Sequence, residues 1–282
     1  MFASIITRRV ASSQSTFSGQ NSKSIARRFL FAEPHNIELY EYAICPFCNR
    51  VKAFLDYAGL KYSQIEVNPL TKKEIKWSKD YRKVPIVKLD QKPLLGSDSI
   101  LEALLQQPIV QENLESKWEG SNMSMDEFAT SELSQRWTKF ATDELAYLLY
   151  PNICRTLSDS YRAFAYVETT DSFGTLEKLS IRGLGSLAMY MAASRVKKKR
   201  NITDERAALH QALVQLEQDG LRDHDFVSGN DKPNLGDITL FGTLRSIEGL
   251  PAHKKAIESR DGPLRAWYER MSAEVVSSKK QV

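Results

Sequence analysis

Apolar and polar residues alternate from Ile37 to Tyr42, in the order Ile-Glu-Leu-Tyr-Glu-Tyr. A period of two is the mark of a strand with one face on a core. The pattern then changes period. Phe47, Val51, Phe54, Leu55 and Ala58 recur at helical spacing behind Pro46, which suits a first helical turn, and Gly59 stops the run. Residues 62–67 alternate again, Asn68-Pro69 breaks the run, and residues 74–77 suit a short helix. Residues 84–89 read as a strand, 90–92 as a turn and 93–95 as a short partner strand. Gly96-Ser97-Asp98-Ser99 then opens a helix that runs to about Gln107. The predicted order is βαβαββα.

Beyond Pro108 the pattern is different. Residues 108–123 are polar and read as a linker. After them only helical periodicity is found: 125–150, closed by Pro151-Asn152, then 173–195, 203–220, 236–248 and 263–276, with Ser124, Ser158, Thr203 and Asn234 as expected N-caps. The 173–195 stretch carries Gly174, Gly183 and Gly185, which weaken a helix and are usually explained by close approach of another element. The fold class is therefore α/β plus all-α. An N-terminal α/β domain spans 34–107, a linker 108–123, and an all-helical domain 124–282.

Charge alters the picture of the first 33 residues. Arg8, Arg9, Lys23, Arg27 and Arg28 face only Glu33 there, which equals the whole net charge of +4. The rest of the chain has 34 basic and 34 acidic residues, so a nucleic-acid partner is not expected. The head is Arg- and Ser-rich and acid-poor, which predicts a mitochondrial transit peptide over 1–33 and a matrix location. No stretch is apolar enough to span a bilayer, so membrane association is expected to be peripheral at most. The Lys197–Arg200 run is read as a solvated helix end rather than a nuclear signal.

The chemistry lies in Cys45-Pro46-Phe47-Cys48, two thiols at a helix start after a strand. A helix N-terminus favours thiolate through its dipole and unpaired N–H groups. A zinc site is not expected: there is no second CxxC, and the four histidines lack ligand spacing. Cys154, alone in apolar surroundings, reads as a core residue.

These residues, with Val84-Pro85 entering a later strand, resemble the thioredoxin-fold domain of the glutathione transferase and glutaredoxin superfamily. The resemblance implies a cis Val84–Pro85 bond, with Val84 presenting its backbone to the cysteinyl part of glutathione. It also implies that the turn at Ser97, Asp98 and Ser99 holds the γ-glutamyl end. Ser97 with Asp98 fits a glutaredoxin-like register, and Asp98 with Ser99 a transferase-like one.

A narrower resemblance follows from Tyr42-x-x-Cys45-Pro46-Phe47-Cys48, Glu66-Val67-Asn68-Pro69, Tyr81-Arg82-Lys83-Val84-Pro85-Ile86, Pro151-Asn152-x-Cys154-Arg155-Thr156 and Lys232-Pro233-Asn234-Leu235-Gly236-Asp237. Together they resemble the membrane-associated prostaglandin E synthase type 2 family over about residues 37–270. That resemblance implies a glutathione-linked isomerase that converts the lipid endoperoxide prostaglandin H2 to prostaglandin E2. Cys45 would be the working thiol, Tyr42 would point its hydroxyl at it, and Cys48 would pack beneath. It also implies haem as a second ligand. Tyr147 replaces the family's histidine, with Tyr150, Arg195 and Lys199 as further contacts. The paired halves imply a homodimer. Two other functions share the site: a glutathione-dependent thiol transferase or disulfide reductase, and a glutathione- or haem-binding module without turnover.

Overall fold

In the computed structural model, residues 36–280 are described, with side chains to Val275; the transit peptide expected over 1–33 lies outside them. The alternating segments form a four-stranded sheet of β1 (Ile37–Glu41), β2 (Ser63–Glu66), β3 (Ile86–Leu89) and β4 (Lys92–Leu95), in spatial order β2-β1-β3-β4. β1 runs parallel to β2, with Tyr40 opposite Ile65, and antiparallel to β3, with Leu39 opposite Val87. Strand alternation divides the core in two. Ile37, Leu39 and Val87 pack under α1 (Pro46–Tyr57) and α2 (Ser97–Leu105), while Tyr40, Val67, Ile75 and Ile86 form a smaller cluster with Tyr42, Tyr81 and Val84. A 3-10 turn at Lys73–Ile75 takes the place of the expected helix at 74–77.

The expected linker is helical in its first part. Residues Pro108–Lys117 form α3, with Pro108 in its first turn rather than ending the element before it. Val110, Leu114 and Trp118 recur every four residues and are buried, which explains a helix in an otherwise polar segment.

The helical half begins with α4 (Met125–Ala129) and α5 (Glu132–Phe140). A π turn at Ala141–Leu145 carries α5 into α6 (Ala146–Ile153), and Pro151 sits inside α6 rather than closing it. Next come α7 (Leu157–Ala163), capped by Thr156 instead of Ser158, and a 3-10 turn over Phe164–Thr169. α8 (Thr175–Ser180) continues through a π turn at Ile181–Gly185 into α9 (Ser186–Lys199). α10 (Glu205–Gly220) is capped by Asp204 rather than Thr203, and α11 (Leu235–Arg245) by Asn234 as expected. α12 (Pro251–His253) and α13 (Pro263–Lys280) complete the chain.

α11 joins the halves by lying directly on α1. A Cβ added to Gly242 would stand 2.5 Å from Asn49 O and 2.7 Å from Arg50 Cα, so only glycine permits this crossing. One turn on, Arg245 Nη1 donates to Asp56 Oδ2 at 2.9 Å, with the Asp56 side chain fully buried. Asp237 locks the start of α11. Its carboxylate accepts from the Asn234, Val227 and Ser228 N–H groups and from Trp267 Nε1.

Candidate active site

Cys45 is the N-cap of α1, in extended backbone (φ −84°, ψ 120°), and Pro46 occupies the first helical position. Its N–H donates to Tyr42 O at 2.9 Å, which closes the turn from β1. The Cys45 side chain is half-buried and Cys48, a turn deeper, is fully buried. Their thiols shift in opposite directions. A hydrogen bond from Cys48 lowers Cys45 against the cost of its burial, helped by the Cys48 and Phe47 N–H groups at the helix start. Burial pushes Cys48 well above an ordinary thiol, and its bond to Cys45 adds to this. The arrangement thus favours ionisation of Cys45 over Cys48, with the Cys48 thiol donating to it.

The Tyr42 hydroxyl makes no hydrogen bond to Cys45 among the described residues, although both thiols act on its phenol. The bond between the two residues runs through the Tyr42 backbone carbonyl, and the Tyr42 ring packs with Tyr81 and Val84 on the Tyr40–Ile86 cluster. Burial raises its phenol, and the two thiols add to the effect, so it stays protonated beside them.

Val84–Pro85 is cis. Among the described residues no backbone partner takes the Val84 N–H or C=O, while Pro85 O accepts from Gly96 N at 3.1 Å. Gly96, at φ +83°, turns the chain into α2. Ser97 is buried, whereas Asp98 and Ser99 are exposed. A residue that sequence reading missed holds this turn. Arg50, fully buried on α1, donates to Ser97 Oγ at 3.1 Å and to Asp98 Oδ1 at 2.9 Å. Ser97 is thereby committed within the protein. Asp98 is held by the same guanidinium, although its side chain and that of Ser99 are exposed.

Glu66, at the end of β2, was also missed. Its Oε2 accepts from Ala43 N at 3.0 Å, in the loop before Cys45, and its Oε1 accepts from the Tyr166 hydroxyl at 2.7 Å. Burial raises this carboxyl from 4.5 to about 8. Ile44 packs on Phe164, Val167, Phe173 and Ile181, so the helical half braces the Cys45 loop by an apolar and a polar contact together. Beneath the loop lies Glu41, buried and paired with Lys52 at 3.0 Å.

The four positions expected to serve haem do not form one site. Tyr147 sets its ring edge-on to Phe47, with centroids 5.9 Å apart, and the Arg200 guanidinium covers it at 3.9 Å. The Tyr150 hydroxyl meets Met189 Sδ at 2.8 Å, and burial raises its phenol, with charge on Cys154 and then Cys45 adding to the effect. Arg195 and Lys199 lie exposed on α9 and make no hydrogen bond, ion pair or ring contact with these groups. Arg200 is the basic residue that reaches Tyr147. The residues present therefore do not fit haem.

Comparison with known proteins bears on the same elements. The glutathione S-transferase N-terminal domain family matches residues 39–109 and the glutathione S-transferase C-terminal domain family residues 199–270. Among solved structures, beta-etherase LigF from Sphingobium aligns with a TM-score of 0.55 at 17% identity, over 88% of this chain and 100% of that one. Prostaglandin E synthase 2 of Danio rerio is 31% identical over 83% of this chain and 70% of its own length. The protein of that name from Mus musculus is 32% identical over 83% of this chain and 69% of its own. Glutaredoxin 1 of Rickettsia conorii is 35% identical over 24% of this chain and 71% of its own. With a transferase-like fold in both halves and relatives that match across them, the chain belongs to the prostaglandin E synthase 2 family.

Proposed function

We propose that this protein is a glutathione-dependent isomerase that converts prostaglandin H2 to prostaglandin E2 at Cys45. The observation that carries the reading is the half-buried Cys45 thiol, lowered by its hydrogen bond from Cys48. It sits in an α/β half that matches the glutathione S-transferase N-terminal domain. Glutathione would pair its cysteinyl backbone with Val84 and set its γ-glutamyl end at Asp98 and Ser99.

The chemistry balances without an external oxidant. A thiolate sulfur bonds to one peroxide oxygen and the O–O bond breaks, and the freed oxygen takes a proton to become the hydroxyl. A base then removes the hydrogen from the carbon that bears the sulfur-bound oxygen. The C–H electrons form the carbonyl, the S–O bond breaks, and the thiolate is regenerated. Tyr42, held as a phenol, can supply the proton. No step is routed through haem.

The Cys48-to-Cys45 hydrogen bond also supports a second reading, a thiol–disulfide reductase in which Cys48 resolves a mixed disulfide. Assaying Cys48→Ser on prostaglandin H2 and on a disulfide substrate side by side separates the two. Isomerisation survives that change and disulfide reduction does not.

Two further expectations belong to this proposal. The composition of residues 1–33 supports a mitochondrial matrix location, tested by imaging a fluorescent fusion with and without them. The exposed row Leu176, Leu179, Leu184, Leu187 and Met191 along α8, the π turn and α9 supports a homodimer, tested by sedimentation of Leu184→Glu. No described helix is long and apolar enough to cross a membrane.

A further inference from the structure

A concavity lies within the helical half. It has a volume of about 200 Å³ and is walled by the end of α6, α7, α10 and the segment 250–260. Its floor is apolar and buried: Ile153, Leu209, Leu213 and Ala256. Its rim is cationic, formed by Arg155, Arg206, Lys255 and Arg260, with Asp159 as the one acidic residue lining it.

That charge is concentrated, since beyond residue 33 the chain carries equal numbers of acids and bases. Of the nearby carboxylates, Glu205 pairs with Lys197 and Glu258 with His253, while Glu217 pairs with Arg260 on the rim itself. Asp159 stands 3.8 Å from Arg155 Nε and also takes the Thr156 hydroxyl. Arg260 is held rigidly, donating to Glu217 Oε2 at 2.9 Å and to His210 Nδ1 at 2.8 Å. The side chains of Arg206 and Lys255 are exposed and make no hydrogen bond or ion pair among the described residues.

An apolar floor beneath two exposed cations without an ion-pair partner among the described residues, Arg206 and Lys255, is a complement to an amphipathic anion. We propose that this pocket binds a small molecule with a carboxylate or phosphate head, held by Arg206 and Lys255, and a short apolar tail on Leu209 and Leu213. The apolar floor is short, made of Ile153, Leu209, Leu213 and Ala256, and suits a tail of about six to eight carbons. The helix that carries Tyr150 toward the Cys45 side also supplies Asn152 and Ile153 here, so occupancy bears on an element of the active site.

The test is isothermal titration of the full chain with octanoate, n-octyl phosphate, hexanoate and inorganic phosphate. Octanoate or n-octyl phosphate is expected to bind once per chain, and the stronger of the two identifies the head group. Removing two methylenes weakens binding roughly tenfold. Arg206→Ala with Lys255→Ala, two exposed sites that leave the melting temperature unchanged, weakens it by about tenfold or more. S-methylglutathione does not compete. The proposal is overturned if neither amphiphile binds at millimolar concentration, or if the double variant binds as well as the parent. Equal affinity for inorganic phosphate, or displacement by S-methylglutathione, also overturns it.

Discussion

The Tyr166 hydroxyl donates to Glu66 Oε1 at 2.7 Å, and the other oxygen of the same carboxyl takes the N–H of Ala43, two residues before Cys45. One half-buried side chain thus ties the helical half to the loop that presents Cys45.

Glu66 makes stability depend on pH with a definite sign. Its folded value, about 8, lies above the ordinary 4.5, so between those values the folded state holds a proton that the unfolded state releases. Stability therefore falls as pH rises through that window. Glu66→Gln is neutral throughout and escapes this loss. The gap in unfolding free energy in favour of Glu66→Gln is expected to grow by on the order of 2–4 kcal/mol from pH 5 to pH 9. Urea unfolding across the range measures it, and a gap that does not change with pH contradicts the assignment.

The thiol pair predicts selective labelling. Iodoacetamide should modify Cys45 with a midpoint below the ordinary thiol value of about 8.5, while Cys48 stays unmodified in the folded protein. Cys48→Ala removes the hydrogen bond that lowers Cys45 and moves its midpoint up, whereas Cys48→Ser keeps a donor and moves it less. Equal midpoints for the Ala and Ser variants would show that the bond does not set the thiol's state.

Arg50 separates binding from stability. Its buried guanidinium holds Ser97 and the exposed Asp98, and its Nε has no partner. Arg50→Met exchanges a costly buried charge for an apolar chain of similar length, so the melting temperature should move little. The α2 turn loses its anchor, and KM for glutathione is expected to rise roughly fivefold to tenfold, about 1–1.4 kcal/mol. A large loss of stability with unchanged KM would assign Arg50 to the core alone.

Gly242 reports on the junction of the halves. Alanine there must push α11 from the α1 backbone, because the added carbon falls 2.5 Å from Asn49 O. Overpacking of this kind costs about 1–3 kcal/mol, read as a melting temperature lower by roughly 3–10 °C.

Local pattern made much of this molecule readable. The Ile37–Tyr42 alternation, the CPFC helix start and Val84-Pro85 are short-range signals, and each appears where it is expected. Polar filler hid α3, although Val110, Leu114 and Trp118 already stood four apart. Pro151 read as a stop, yet it is held inside α6 by packing that no local preference reports. The ties around the site were not readable at all. Arg50 meets Asp98 across 48 residues, Tyr166 meets Glu66 across 100, and Arg245 meets Asp56 across 189. A charged residue in a sequence looks solvated until the fold brings its partner.

The central claim is that Cys45 is the thiol on which glutathione-dependent isomerisation turns, and one assay tests it most directly. Purified chain and its Cys45→Ser variant are supplied with prostaglandin H2 and glutathione, and the prostaglandin E2 formed is quantified by mass spectrometry. The account predicts turnover by the parent and a loss of about a hundredfold or more in the variant, with the fold retained. Full glutathione-dependent turnover in Cys45→Ser would contradict it.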